Sequence, residues 1–517
     1  MVFFKKPLVI LILITLIGAF LRFYRLSDLP PSLNWDEVSH AYNAYSLYKT
    51  GRDQWGQILP VINFRAYGDY PTALNLYFTI PGLAIFGTTD FAARFPHALI
   101  GTLLIPVVFI ATYRWRKNIL LGFLAAIFTC LDPWVLFTSR TVLQSNWAVF
   151  LLALALCFYF AQRFRPAILI WGLSLLAYHN TRIFVPLLLL SLAVFSKKHL
   201  VLISAVILLA IFILLSPASR ARGLWVGLIN PGTIATIEYQ RNHTSLPPFL
   251  ARLTYNRPVY LFTHLGSNYL GYFSPQFLAV SGGTQYQYSL PKSGLISVAS
   301  LPFFYLGLIL LIPSSPLLLI WILLSPLPAA ITQDQFAVVR ATTMLPLVQI
   351  ISALGIVWFL SRIPTRLRSA FIWLYLFLIM GSTGLYLYNY STLYPKQYSS
   401  SWQYGYKQVV QFIKQNYDSY DQIIFTKKYG EPHEFLAYYW PWDPISFQNN
   451  TDWDYHANWY WVNGLGKIKF VNDWEMKSVV LKPKTLIISS PDNETAGREI
   501  ERINFLDGKT AFIIRAQ

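Results

Sequence analysis

The stretch NWDEVSHAYNAYSLYKTG, Asn34 to Gly51, holds two adjacent carboxylates, Asp36 and Glu37, followed by His40 and a series of tyrosines. A carboxylate set against a hydroxyl can take its proton as the oxygen attacks. The same acid at the start of a helix can simply cap it, and Asp36 precedes Val38, Ala41, Tyr42, Tyr45 and Tyr48 at helical spacing. Spacing alone leaves both roles open. Two arginines stand at the outer ends of predicted helices, Arg140 in LDPWVLFTSR and Arg182 in YHNTR. A guanidinium there can pair with an oxyanion through two hydrogen bonds, or snorkel and anchor the helix end. His179 beside Arg182 either donates to a bound group or is satisfied by a backbone carbonyl. No His or Cys spacing supports zinc. Asp36, Glu37 and Asp132 are the set that can gather a divalent ion, and their spacing does not support it, so no cofactor is assigned. There is no glycine-rich phosphate loop, which argues against a nucleotide-sugar donor bound in a soluble nucleotide fold.

The elements that carry these residues follow from composition. Of 517 residues 55% are hydrophobic and only 12% charged, and several apolar runs approach the length that crosses hydrocarbon as helix. The expectation is a polytopic membrane protein. The start, MVFFKKPLVILILITLIGAFLRFYRL, lacks a small-residue cleavage site and reads as a retained first helix. Cys130 and Cys157 both fall in apolar runs and act as small hydrophobes. The net charge of +18 is concentrated in Lys5-Lys6, Arg114 to Lys117, Arg163 with Arg165, Lys197-Lys198, and Arg362 with Arg366 and Arg368. Each cluster ends an apolar run, which is the cytoplasmic-loop pattern and excludes a nucleic-acid groove.

That alternation sets the topology. The run 72–87 is short, contains Pro81 and Gly82, and would invert most later basic clusters if it crossed, so it is expected to lie in the interface. The spans are then 7–26, 91–113, 119–137, 143–162, 166–178, 183–196, 199–216, 295–312, 316–332, 339–360 and 369–389, about eleven helices. The fold class expected is a mainly α-helical membrane domain over 1–390, with outer loops 27–90 and 217–293, followed by a small extracytoplasmic α/β domain over 391–517. In that tail QIIFT, SVVLK, TLIIS and AFIIR read as strands and YKQVVQFIKQNY as an amphipathic helix. The aromatics of FLAYYWPWDP and DWDYHANWYWVNG either stack on sugars, lie at the membrane surface, or form a core.

The Asp-Glu pair, His40, the tyrosine-rich turn and Thr50-Gly51 together resemble the first extracytoplasmic loop of membrane glycosyltransferases that use lipid-phosphate sugars (the GT-C class), which include the protein O-mannosyltransferases and the aminoarabinose transferase. GDYPTALNLYFTIPGLAIFGTTDFAARFPHALIG, LDPWVLFTSRTVLQSNWAVF and AYHNTRIFVPLLLL resemble, in order, the family's proline-bearing segment, its Ser-Arg turn and its Tyr-His-Arg turn. The resemblance covers about two hundred residues.

It implies a multi-pass enzyme of the cell envelope, with its site on the outer face. The enzyme would transfer a sugar from a polyprenyl-phosphate donor to a hydroxyl of a protein, lipid or glycan, with inversion at the anomeric carbon. Asp36 is the implied base, and Glu37 holds an acceptor hydroxyl or a neighbouring cation. Arg182, Arg140 and His179 are implied to meet the donor phosphate, while Arg94 fits a structural role equally well. One departure stands out: where relatives often carry a second acid after Ser-Arg, this chain has Gln144 and Asn146, leaving Asp132 or Asp69 to substitute, with His40 and Gln144 supporting. A transporter or flippase of lipid-linked glycan is the alternative. It would bury ionisable groups at mid-membrane and show inverted repeats, whereas these spans are nearly free of acids.

If this topology holds, cysteines introduced at Gly51, Ser281 and Asn450 should react with an impermeant thiol reagent applied from outside. Those at Lys117, Lys198 and Arg366 should not. Labelling at Lys117→Cys with none at Asn450→Cys would overturn it.

Overall fold

The computed structural model describes residues 5–195, 197–457, 459–493 and 495–517. The chain is mostly helical, with one seven-stranded sheet near its end. It divides into two compact units. A helical unit comprises the residues up to Arg22 with Leu99–Ser139 and Gln144–Tyr386; a sheet-bearing unit comprises Phe23–Ala98, Arg140–Leu143 and Leu387–Gln517.

In the helical unit a helix occupies each run expected as a span, from α1 (Lys5–Phe23) onward. Among the described residues, Asp90–Arg116 and Thr365–Tyr398 are long and apolar enough to cross a membrane, and nine further apolar helices have 10 to 17 residues. Their boundaries obey local chemistry. Asn118 and Ser315 cap Ile119–Leu131 and Pro316–Leu324 through their side-chain oxygens, and Pro316 supplies the first helical residue, where a missing N–H costs nothing. The helices Leu301–Leu311 and Leu347–Arg362 meet through glycine on both sides: a Cβ on Gly307 would stand 1.9 Å from the Ile351 carbonyl, and one on Gly355 2.0 Å from that of Phe303. Small residues at such a crossing let the two backbones approach closely.

The sheet-bearing unit holds α2 (Trp35–Thr50), α3 (Leu74–Phe86) and the start of α4 (Asp90–Arg116), along with the tail. The strands are β1 (Gln422–Thr426), β2 (Thr451–His456), β3 (Trp459–Leu465), β4 (Ile468–Val471), β5 (Thr485–Ser489), β6 (Arg498–Asn504) and β7 (Thr510–Ala516), in the order β2-β3-β4-β1-β5-β7-β6. β1 lies parallel to β4 and β5, and the remaining pairs are antiparallel. Alternation sends Ile423, Phe425, Leu486, Ile488, Phe512 and Ile514 to one face. There they join Val409 and Ile413 of the helix Tyr406–Asn416, Phe435 and Leu436 of the helix Pro432–Tyr439, and Val38, Ala41 and Leu47 of α2. Ile424 and Ile487 pack in a smaller cluster with Val471 and Met476. The tail's sheet and the first loop therefore share one core.

Three expected strands lie in β1, β5 and β7, but SVVLK does not form one. Its first residue ends a 3-10 turn, Asp473–Ser478, and Val480 is exposed. Both edges of β5, the next strand along the chain, are already taken by β1 and β7. The helix α3 has 13 residues with Pro81 inside it, about 20 Å of rise against about 30 Å of hydrocarbon. Its Leu76 and Leu83 belong to the shared core.

Gly307→Leu or Gly355→Leu is expected to cost about 1–3 kcal/mol or more through overpacking. Thermal unfolding in detergent reads this as a lower midpoint. An unchanged midpoint for both would show that the crossing yields freely.

Candidate active site

The local sequence explains how α2 begins. Asn34, not Asp36, is its cap: the Asn34 side-chain oxygen accepts from the Glu37 N–H at 3.0 Å, and Glu37 Oε2 accepts from the Asn34 N–H at 3.2 Å. This is a reciprocal capping box. The capping role considered for Asp36 is thereby filled by its neighbour, and Asp36 sits within the first turn.

Glu37 is 1% exposed. Besides Asn34 its carboxylate accepts from Arg94 Nη2 at 2.8 Å and Nε at 3.2 Å, and from the Val142 N–H at 2.8 Å. Four donors meet the roughly four lone-pair sites of one carboxylate. Arg94, fully buried, also donates to the carbonyls of Leu26 (3.2 Å), Pro30 (2.8 Å) and Ser32 (2.5 Å). Arg140 donates to the carbonyls of Tyr24 (2.9 Å) and Leu29 (3.1 Å) and to the Tyr390 hydroxyl (3.1 Å). Two arginines thus fix the segment 24–32 through its backbone oxygens.

Asp36 is only half buried, and its Oδ1 accepts a hydrogen bond from the Tyr67 hydroxyl. Its backbone carbonyl lies 2.6 Å from His40 Nδ1. A carbonyl can only accept, so Nδ1 carries the proton. Burial lowers the His40 pKa, opposed by that hydrogen bond and by the charges of Asp69, Glu434 and Glu37, so the ring is neutral at pH 7. Asp69 accepts from the Tyr70 N–H at 2.8 Å. Burial also raises the Tyr67 phenol well above its usual range, helped by the Asp36 charge, and it remains a donor.

The helical unit holds the remaining residues singled out above. Arg182, buried, donates to the Leu175 carbonyl (3.0 Å), His179 Nδ1 (2.9 Å) and Ser219 Oγ (3.3 Å). Arg182 and His179 line a cavity of about 160 Å³ together with Tyr178, Ser219, Thr332 and Arg340. Arg340 donates to Thr332 Oγ1 at 3.0 Å and pairs with Asp334 at 2.7 Å. No role was read for Arg340 from the sequence. The available signal was a basic residue in the turn TQDQFAVVR between two apolar runs, apart from the basic clusters named above, like Arg182. Asp132 lies at the end of α5 (Ile119–Leu131), where its Oδ2 accepts from Gln349 at 3.1 Å, and Gln144 begins the helix Gln144–Phe160. Asp36, Glu37, His40, Asp69 and Arg140 thus fall in one unit, and Asp132, Gln144, His179 and Arg182 in the other. Among the described residues no group of three or more His, Cys, Asp or Glu is placed to hold a metal ion.

Residues 12–230 match the family model described as dolichyl-phosphate-mannose-protein mannosyltransferase. The chain is a glycosyltransferase of the kind that draws its sugar from a lipid phosphate. No curated protein matches it. Among solved structures it is similar to ArnT from Cupriavidus metallidurans bound to undecaprenyl phosphate, with a TM-score of 0.55 and 13% identity over 99% of this chain and 98% of that one. The same ArnT in the apo state gives a TM-score of 0.54 and 12% identity, over 98% and 97% of the two chains. The archaeal oligosaccharyltransferase AglB from Archaeoglobus fulgidus, in complex with an inhibitory peptide and a dolichol-phosphate, gives 0.51 and 14%, over 84% of this chain and 63% of that one. At these identities the likeness is one of fold, and it agrees with the helical architecture and terminal sheet described above.

Removing one partner of the buried pair should be costly. Arg94→Ala is expected to lose about 3–5 kcal/mol, because Glu37 is left charged, buried and short of two donors. Denaturant or thermal unfolding in detergent reads this directly. A loss below about 1 kcal/mol would mean that Glu37 is compensated from elsewhere.

Proposed function

We propose that this glycosyltransferase works on the outer face of a cell membrane, transferring a sugar from a polyprenyl-phosphate donor to a hydroxyl of a protein, lipid or glycan, with inversion at the anomeric carbon and Asp36 as base. The acceptor oxygen attacks the anomeric carbon, its proton passes to Asp36, and the bond from that carbon to the phosphate oxygen breaks. The lipid phosphate leaves with the electron pair. Arg182 and Arg340, with His179, hold the phosphate as its charge grows, since guanidinium forks match its oxygens. About eleven membrane-crossing helices and an extracytoplasmic tail complete this reading, supported by the inward bias of the basic clusters.

The observation that carries the assignment of the base is the contrast between adjacent acids. Glu37 accepts four hydrogen bonds inside the protein, while Asp36 is half buried and accepts the Tyr67 hydroxyl. Glu37 is accordingly given the role of holding the loop, with Arg94 as its neighbouring cation. Arg140, whose guanidinium meets the carbonyls of Tyr24 and Leu29, is given that of an anchor. His40 and Asp69 shape the surroundings of Asp36. The transporter or flippase alternative is not favoured.

Because Asn34 caps α2, Asp36→Asn should leave folding intact. It should still lower transfer from a radiolabelled polyprenyl-phosphate sugar pool by a factor of about 10² or more. Arg182→Lys should raise the apparent donor KM and recover only part of what Arg182→Ala loses. A fully active, folded Asp36→Asn enzyme would remove Asp36 as the base.

A further inference from the structure

The start of α2 is held by the tail from two directions. On one side the Trp35 N–H, which has no acceptor within the helix, donates to Gln403 Oε1 at 2.8 Å. Gln403 is itself fixed, its Nε2 donating to the Tyr429 carbonyl at 2.6 Å. The Trp35 ring lies so close to Gly430 that a Cβ there would stand 2.5 Å from it, and the Gly430 carbonyl accepts from the Tyr406 hydroxyl at 3.1 Å.

On the other side, the Tyr67 hydroxyl that donates to Asp36 belongs to a ring stacked on Trp459 of β3, with centroids 5.1 Å apart and planes inclined by 28°. The Trp459 indole N–H donates to Glu431 Oε1 at 2.9 Å, at the entry to the helix Pro432–Tyr439. The Tyr67 carbonyl accepts from the Tyr460 N–H at 2.8 Å. A Cβ on Gly68 would come within 2.1 Å of the Trp459 ring, so only glycine lets the loop lie flat on the indole. Trp459 therefore meets Tyr67 by stacking, a backbone bond beside it and the flank of the next residue. The side chain being steered, a hydroxyl on a ring with two rotatable bonds, has little freedom left.

We propose that Trp459, held by Glu431, is a positioning residue for the reaction: it fixes the Tyr67 ring so that its hydroxyl orients the Asp36 carboxylate, which makes the C-terminal domain part of the catalytic apparatus. The inference rests on the reading of Asp36 as base. An acid whose carboxylate is aimed by a tyrosine held in a stacked pair stays in the geometry that proton transfer needs, and a misplacement of about 1 Å costs up to about 10²-fold. Neither Trp459 nor Glu431 needs to touch either substrate.

The full-length enzyme in detergent, with a radiolabelled polyprenyl-phosphate sugar pool as donor and membranes from cells lacking the gene as acceptor, tests this. Tyr67→Phe, which removes one hydroxyl and keeps the stack, and Trp459→Ala should each lower kcat about tenfold or more, with the apparent donor KM within about twofold of the parent. Trp459→Phe should recover part of the loss, because it restores the stacked ring without the indole N–H that Glu431 holds. Glu431→Ala, which removes the acceptor of that N–H, should lower kcat in the same direction by a smaller factor. A kcat for folded Tyr67→Phe within twofold of the parent overturns the proposal, as does a Trp459→Phe no better than Trp459→Ala, or a loss that appears in KM alone. Should Trp459→Ala fail to fold, the Tyr67→Phe result decides alone. Asp36→Asn in the same panel separates the two ideas: an active Asp36→Asn enzyme removes the reading of the base, whereas an inactive one beside a fully active Tyr67→Phe removes only the positioning.

Discussion

A carboxylate taken fully out of water is costly unless donors meet it on every side, and Glu37 is such a group. Its four donors come from the chain just before α2, from α4 and from the short segment 140–143. No one element can satisfy it. The charge therefore sets where these stretches sit relative to one another, because a shift of any of them strands part of a buried ion. Arg94 extends the constraint by donating to three carbonyls of the irregular segment before α2. A segment without helix or strand cannot satisfy its own backbone oxygens, and here arginine side chains do so.

The same geometry separates the duties of two neighbouring acids. Successive helical residues point about 100° apart, so when Glu37 turns inward to Arg94, Asp36 turns toward Tyr67. An acid that is fully engaged inside the protein is a poor proton acceptor for a substrate, and one with no internal partner is poorly aimed. Glu37 lies at the first extreme. Asp36 lies between them, half buried and oriented by a phenol that burial keeps protonated.

Much of this architecture was legible in the sequence because it is local. The apolar runs became helices, and QIIFT, TLIIS and AFIIR became strands, since periodicity and β-branched content act over a few residues. What was not legible depends on distant partners. The duty of Glu37 rests on Arg94, 57 positions away. Asp36 looked like a cap because it is an acid before a helical pattern, yet Asn34, two residues earlier, had the geometry that counts. SVVLK has strand composition, but the next strand already has neighbours on both edges. Arg340 lay in a turn whose proximity to Arg182 only the fold reveals.

The aromatics of the tail show how far a composition can be read before packing resolves it. FLAYYWPWDP was open to sugar stacking, membrane contact or a core, and the structure buries Phe435, Leu436 and Tyr438 with the strands and α2. Tyrosine suits such a core because its ring fills volume while its hydroxyl still needs a partner. Those bonds join the tail to the first loop: Tyr438 donates to the Thr89 carbonyl at 2.8 Å, Tyr439 to Asp90 at 2.6 Å, and, in the other direction, Tyr42 of α2 to the Trp442 carbonyl at 3.2 Å. Lys407 adds an ion pair to Asp90 at 2.6 Å. Each such bond crosses more than 300 residues of sequence, so the loop carrying Asp36 acquires its final shape only when the tail has been made and folded onto it. The first loop and the tail belong to one structural unit, and the start of α2 is shaped by residues near the carboxyl terminus as directly as by its own neighbours.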